Sequence, residues 1–405
     1  MLTLQNVGIE IHGSRNHVIT PVRDVSFHAA EGEITAIVGE SGSGKTLTAL
    51  AIMRLLQEDR MNVVAGSKID YKGQNLLDLP NNEMCSLRGK ELAMIFQNPG
   101  SSLNPILSVG KQLSEPLMWH AGLSKKQAWI RAMELLDDVG IKLPSKRLKA
   151  YPHELSGGQQ QRIMIAMAVA VEPSLIIADE PTSALDVTIQ RQIIDLIMRM
   201  KEERNLSILF ISHDLAMVAD IADRIVVMSN GVVVEEGDSN KVLRIPKHLY
   251  TRSLIEARLT IEKTHGHGNG DLEMNMHRKS TQEAVIEKDH PNGVRLEAKG
   301  LCKRYWLRSG FRQKQALEAV RDISFELRKG ETVGVVGESG SGKTTLAMLL
   351  MRLVEPTSGS IILDGKLVND ISLKAFRPMR RKIQMIFQNP YASFNPRWKI
   401  QEALT

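Results

Sequence analysis

One run of residues occurs twice in this chain, and that duplication constrains its architecture more than any other feature. Val22-Arg23-Asp24-Val25-Ser26-Phe27 returns as Val320-Arg321-Asp322-Ile323-Ser324-Phe325. Gly39-Glu40-Ser41-Gly42-Ser43-Gly44-Lys45-Thr46 returns as Gly337-Glu338-Ser339-Gly340-Ser341-Gly342-Lys343-Thr344, and Met94-Ile95-Phe96-Gln97-Asn98-Pro99 as Met385-Ile386-Phe387-Gln388-Asn389-Pro390. A repeat this long is a duplicated domain, not a solenoid unit. The 405 residues suffice for two domains, each with its own core. From about Ile261 to Pro291 the apolar periodicity lapses, and Thr264-His265-Gly266-His267-Gly268-Asn269-Gly270 reads as a linker. The expected domains are therefore 1–258 and 293–405, joined by a polar linker over 259–292. His265, His267, His277 and His290 show no fixed ligand spacing, so a solvated linker is favoured over a metal site.

Ile34–Val38, Leu175–Ala178 and Ile208–Ile211 are short, continuously apolar runs of the kind buried in parallel sheets. Helical patterns follow the first two, from Lys45 and from about Thr188, which gives an α/β fold with a mostly parallel sheet. Val226 to Val234 carries Asn230-Gly231 at its middle and predicts a hairpin. Residues from about Ser101 to Tyr151 lack strand signals and predict an inserted helical subdomain.

The eight residues Gly39, Glu40, Ser41, Gly42, Ser43, Gly44, Lys45 and Thr46 fit G-x-x-x-x-G-K-[ST], after a strand and opening a helix, as phosphate binding requires. Glycines let backbone N–H groups approach phosphate oxygens, aided by the positive end of the helix. Lys45 can neutralise the outer phosphates and Thr46 can ligate Mg²⁺. Chance yields the motif in roughly one such chain per hundred, and here it stands twice in matched context. In the second copy the equivalent residues are Gly337, Glu338, Ser339, Gly340, Ser341, Gly342, Lys343 and Thr344. Downstream, Asp179 and Glu180 end a buried strand: Asp179 suits Mg²⁺, and Glu180 suits polarising the water that attacks the terminal phosphate.

Leu155, Ser156, Gly157, Gly158 and Gln159 open another helix with a second anion-binding terminus. One phosphate needs no second such terminus unless another subunit supplies the nucleotide. Lys and Arg total 52 against 46 Asp and Glu, a net +6 that fits polyanions such as nucleotides or proximity to anionic lipid. Aromatic residues make up only 4%, and no basic stripe interleaves with them, which argues against nucleic acid. Cys85 and Cys302 exclude a disulfide framework or a cysteine-rich metal site. The N-terminus lacks a signal-peptide pattern, and the apolar runs are far shorter than the ~20 residues of a membrane span. Any membrane role is therefore expected to be peripheral.

On these residues the chain resembles the ABC ATPases, with a P-loop NTPase fold, a helical subdomain, and ATP and Mg²⁺ as ligands. The resemblance implies that the Ser156-Gly157-Gly158 turn closes over ATP held by a second ATPase domain in trans, in a homodimer or with a partner ATPase. It places Gln97 in a glutamine loop that contacts Mg²⁺ and senses membrane subunits, with Gln388 its counterpart in the second copy. Ser183, Ala184, Leu185 and Asp186 match the D-loop at the dimer seam, and His213 the histidine that touches the γ-phosphate. Catalytic roles thus fall to Glu180, His213 and Gln97, and the magnesium set to Thr46, Gln97, Asp179, Thr344 and Gln388.

The surrounding wording is similar to the ATPases of bacterial peptide, nickel and glutathione importers, fused two-domain type. It is carried by Gly39 to Gly44, Phe96-Gln97-Asn98-Pro99 with Ser101-Ser102-Leu103-Asn104-Pro105, Tyr151-Pro152-His153-Glu154, Asp179 to Gln190 and Pro246 to Arg252. That implies two integral-membrane permease subunits, a periplasmic solute-binding protein acting indirectly, and the cytoplasmic face of the inner membrane. Peptide import is the expected function, with a nickel importer or a non-functional remnant that only binds nucleotide as alternatives. A soluble ABC protein acting on ribosomes or DNA usually carries a long charged interdomain helix or zinc-binding cysteines, and neither is present. Tyr305 fits the adenine-stacking position of the second copy, where the first offers Ile11 or His12. The family's His-Pro-Tyr stands here as His248-Leu249-Tyr250, and the cysteine-rich extension of some relatives is missing. The second copy stops before a signature or an Asp-Glu pair, so truncation is expected, with an incomplete second sheet and activity dependent on pairing of first domains.

Overall fold

The computed structural model describes residues 1–13, 17–57, 59–183, 185–256, 293–309, 313–337, 340–387, 395 and 398–404. The chain forms two compact units, residues 1–273 and 274–405. The linker histidines, and Ala184, Glu338, Ser339 and Gln388 among the expected site residues, lie outside the described residues.

The first unit begins with β1 (Leu2–His12) and β2 (Val18–Ala29), passes through β3 (Ile34–Val38) and helix α1 (Lys45–Ile52), and returns as β4 (Met61–Val63), β5 (Lys68–Tyr71) and β6 (Gln74–Asn75). Strand β1 pairs antiparallel with β2, β4 and β5, which with β6 makes a five-stranded sheet. Then come β7 (Leu92–Ile95), helices α2 (Val109–His120), α3 (Lys125–Asp138) and α4 (Gly157–Val169), and β8 (Leu175–Asp179). Helix α5 (Val187–Arg204), β9 (Ser207–Ser212), α6 (Leu215–Ile221), β10 (Arg224–Ser229) and β11 (Val232–Asp238) follow.

The second sheet has the order β11-β10-β3-β9-β8-β7. Its five strands from β10 to β7 are parallel, and β11 is antiparallel. All residues of β3, β8 and β9 are buried, because both faces of this sheet are covered. The period of two decides which face each residue serves. Ala36, Ile176, Ala178, Ile208 and Phe210 pack with the helical segment, against Ala132, Leu136, Ile163 and Ile194. Their alternates Ile37, Leu175, Ile177, Leu209 and Ile211 pack with α1 and the antiparallel sheet, against Val7, Ile9, Val25 and Ile52. The β10–β11 hairpin turns through Asn230 and Gly231, with φ of 49° and 82°. A Cβ on Gly231 would stand 2.3 Å from the Pro21 carbonyl oxygen, so only glycine fits there.

The second unit contains β12 (Val294–Ser309), β13 (Gln313–Arg328), helix α7 (Lys343–Leu350), β14 (Ser358–Leu363) and β15 (Lys366–Leu367), in the sheet order β13-β12-β14-β15. Its core gathers Leu296, Leu301, Leu346, Leu349, Ile361 and Phe376. Glu331–Gly337, the counterpart of the run through β3, carries no strand assignment, and Val336 is 94% exposed where Val38 is fully buried.

Candidate functional site

The site is assembled where four neighbouring parallel strands end. Strands β3, β9, β8 and β7 lie side by side; at or just beyond their carboxyl ends stand the expected phosphate loop, His213, Asp179 as the last residue of β8 with Glu180 next, and Gln97. Carboxyl-end crevices are where open α/β sheets place their ligands.

The loop after β3 runs from Gly39 to Gly44, and Gly44 caps α1 in the left-handed region with φ 98°. A Cβ on Gly39, whose φ is 153°, would come within 2.1 Å of the Met228 carbonyl oxygen, so the loop is pressed onto β10. The Lys45 ammonium turns back over the loop, donating to the carbonyls of Gly39 and Glu40, each at 2.8 Å. Lys45 is 5% exposed. Burial pulls its pKa below the usual lysine range, opposed by the charges of Glu180, Asp179 and Glu40.

Helix α1 meets β8 at this point. The Thr46 hydroxyl donates to Asp179 Oδ1 at 3.2 Å. Asp179 is buried at the end of β8, and burial raises its carboxyl to about 6, with Glu180 adding to the rise while the Thr46 hydroxyl and Lys45 oppose it. The next residue leaves the strand geometry: Glu180 has φ 43°, and its N–H donates to the Ile211 carbonyl at 3.0 Å. That left-handed backbone aims the two carboxylates differently. Gln97 Nε2 donates to Glu180 Oε2 at 2.8 Å, and His213 Nδ1 lies 3.1 Å from Glu180 Oε1. An ionised carboxylate only accepts, so the second contact requires the proton on Nδ1. Ser183, in the stretch expected to form the D-loop, bonds to the same residue through its N–H and its hydroxyl to the Glu180 carbonyl, both at 3.2 Å. Asp186 caps α5, accepting from the Ile189 N–H at 3.0 Å.

Hard oxygen donors beside a lysine-lined loop suit Mg²⁺ held partly by phosphate oxygens. Thr46 and Asp179 supply such donors, and no cluster of three or more His, Cys, Asp or Glu able to hold a metal occurs among the described residues. Ser156, Gly157 and Gly158 stand at the N-terminus of α4, the first two exposed. Ser156 and Gln159 close a reciprocal cap, the Gln159 N–H reaching Ser156 Oγ at 3.4 Å and the Ser156 N–H reaching Gln159 Oε1 at 3.2 Å. Leu155 is buried beneath this turn.

In the second unit Lys343 Nζ donates to the Gly337 carbonyl at 2.6 Å, reproducing the Lys45–Gly39 contact. Gly340, Ser341 and Gly342 precede α7, with Thr344 in its first turn. Tyr305 lies on β12, its ring 5.2 Å from Lys303 Nζ. In the first unit His12, at the end of β1, has its Nε2 3.2 Å from Asn62 Nδ2. Sequence reasoning assigned no role to Tyr250 or Glu235. The Tyr250 hydroxyl accepts the Glu40 N–H of the phosphate loop at 3.0 Å, and Glu235 holds the segment that carries it. The only available signal was the His248-Leu249-Tyr250 wording, far from the loop in sequence.

Comparison with known proteins yields a consistent picture. The family model described as ABC transporter matches residues 22–183 and again 320–403. The chain is 42% identical over 411 residues to the glutathione import ATP-binding protein GsiA of Salmonella paratyphi A (strain ATCC 9150 / SARB42), covering 98% of this chain and 65% of that protein. It is 41% identical over 405 residues to the peptidoglycan transport ATP-binding protein YejF of Agrobacterium fabrum (strain C58 / ATCC 33970), covering 100% of this chain and 70% of that one. The dimeric post-hydrolysis structure of the ATP-binding cassette MJ0796 bound to ADP and Pi matches with a TM-score of 0.53 and 28% identity, over 59% of this chain and 99% of that chain.

Proposed function

The chain belongs to the ABC transporter family, and from that premise we propose that it is an ATP-hydrolysing subunit that energises import of peptide-class cargo. The observation that carries the reading is the convergence of the buried Lys45 ammonium, the Thr46–Asp179 pair and the Gln97–Glu180–His213 cluster at one sheet edge. The phosphate loop grips the nucleotide through its amides and Lys45. Thr46 and Asp179, with Gln97 nearby, would hold Mg²⁺, which would supply positive charge against the transferred phosphoryl group. Glu180, held in place by Gln97 and His213, polarises the attacking water, and His213 lies beside the terminal phosphate. The Ser156–Gly158 turn of a second ATPase domain closes over the nucleotide; its exposure at the head of α4 supports this.

No helix among the described residues is long and apolar enough to cross a membrane. We infer attachment to permease subunits at the cytoplasmic face of the inner membrane. A groove of about 580 Å³ beside Phe96, lined by Leu103, Leu107, Pro116 and Trp119, supports this reading, with Trp119 83% exposed. The cargo reading rests on relatives named for glutathione import and peptidoglycan transport.

Glu180→Gln tests the catalytic assignment. Nucleotide binding should persist, because the gripping groups are untouched, while phosphate release falls at least about 100-fold, as loss of a general base does. Turnover equal to that of the parent chain would remove Glu180 from the role.

A further inference from the structure

The Gly39–Glu40 peptide, at the start of the phosphate loop and called the Glu40 peptide below, is held from both sides. Its carbonyl, that of Gly39, accepts from Lys45 Nζ at 2.8 Å, and its N–H, that of Glu40, donates to the Tyr250 hydroxyl at 3.0 Å. The first contact lies within the loop. The second comes from far along the chain, beyond the β10–β11 hairpin.

Tyr250 is itself fixed in place. Both oxygens of the Glu235 carboxylate, on β11, are used: Oε1 accepts the Lys247 N–H at 2.9 Å and Oε2 the His248 N–H at 3.0 Å. These backbone bonds draw Glu235 below the usual carboxylate range, against the opposing effect of burial. The Tyr250 N–H donates to His248 Nδ1 at 3.2 Å, and Arg252 Nε closes the turn onto the Pro246 carbonyl at 3.0 Å. The tyrosine ring packs against the principal core cluster. A hydroxyl on a rigid, two-torsion side chain, anchored at its base and along its ring, defines a point in space with little entropy left to lose.

We propose that Tyr250 is a positioning residue of the nucleotide site: its hydroxyl presets the Glu40 peptide, so that the loop amides after it already face where phosphate oxygens bind. Gly39 sits in a backbone region closed to other residues and Lys45 bridges both carbonyls, so the orientation of this one peptide propagates along the loop. By thermodynamic reciprocity, a contact that favours the nucleotide-binding geometry is itself favoured by nucleotide. Residues 246–252 are therefore a nucleotide-responsive segment, tightened when the site is filled. This rests on the ATP-binding reading given above.

The test uses the full chain and Tyr250→Phe, which keeps the ring and removes only the acceptor. Hydrogen exchange over Gly39–Thr46 should quicken at the Glu40 amide in the variant, without nucleotide. The Kd for Mg-ADP and the KM for ATP should rise about three- to tenfold, the scale of one lost hydrogen bond, with kcat nearly unchanged. Mg-ADP should slow exchange over 246–252 in the parent chain and fail to do so in the variant. Parent-like binding and exchange in Tyr250→Phe would overturn the proposal. So would faster exchange spread evenly through the first unit, which marks a purely structural residue. A parent chain that binds neither nucleotide, as Lys45→Ala is expected not to, fails the ATP reading itself, while the Glu40 exchange still reports the contact on its own.

Discussion

Asp179 carries a cost that the fold accepts for the sake of its site. It is 2% exposed, and burial raises its carboxyl from 3.8 to about 6. A carboxyl raised on folding destabilises the native state while ionised; the penalty is fully present above about 6 and gone below about 4, where both states hold the proton. The gap corresponds to at most about 3 kcal/mol. Asparagine keeps an oxygen for the Thr46 hydroxyl and has no charge to desolvate. In buffer free of nucleotide and Mg²⁺, Asp179→Asn should melt above the parent chain at pH 7.5, and its lead should shrink as the pH falls through 6 towards 4.5. A lead of the same size at both pH values in thermal denaturation would assign the effect to something other than this ionisation. The residues of this site were legible because each stands in a fixed motif: Lys45 and Thr46 in the loop, Asp179 and Glu180 after an apolar strand. Tyr250 was not, since it acts on Glu40 across 210 positions, and no local pattern encodes a contact of that range.

Legibility among the elements followed burial. Strands β3, β8 and β9 read directly from continuous apolar runs because both faces of their sheet are covered. The antiparallel sheet left no comparable trace. Register shifts between Leu4 and Val7, Val7 and Ile9, and Ile9 and Ile11 break the alternation of β1, and Asn6 takes a positive φ of 51°. Helix α5 began close to the expected Thr188, and its start explains a second feature of Asp186. That residue matches the D-loop and also caps the helix through the Ile189 N–H. Asparagine caps as well as aspartate, whereas alanine leaves the amide without a partner. Asp186→Ala should therefore lose about 1 kcal/mol of stability in chemical denaturation, and Asp186→Asn almost none. Equal losses in the two variants would show that the charge, not the cap, stabilises this turn. If Asp186→Asn keeps its stability yet loses turnover, the D-loop role stands apart from the structural one.

At the scale of the whole molecule, the residues of the first unit proposed to grip nucleotide and those proposed to close over it do not bond to each other among the described residues. Lys45 and Glu180 belong to the carboxyl edge of the parallel sheet, while the hydrogen bonds of Ser156 run to Gln159 at the head of α4. Ser183, exposed beside Glu180, links the expected seam to the proposed base through the Glu180 carbonyl. A dimeric cassette is among the matched structures, and the chain spans 65% of the length of the glutathione-import relative. If two first units face each other, each supplies the Ser156 turn to the other's Lys45 loop, and turnover becomes a property of the pair. Phosphate release per chain should then be constant at high concentration and fall in proportion to concentration once dimers dissociate, by mass action. Mixing adds a sharper discrimination. At dilutions where parent chains stand alone, Glu180→Gln chains in excess should capture them into mixed pairs whose parent-side site is whole, and so raise phosphate release per parent chain, whereas Lys45→Ala chains that cannot hold nucleotide should capture fewer and raise it less. Phosphate release per parent chain that is unchanged from micromolar concentration down to a demonstrated monomer, and indifferent to excess Glu180→Gln, would mean that each chain closes its own site.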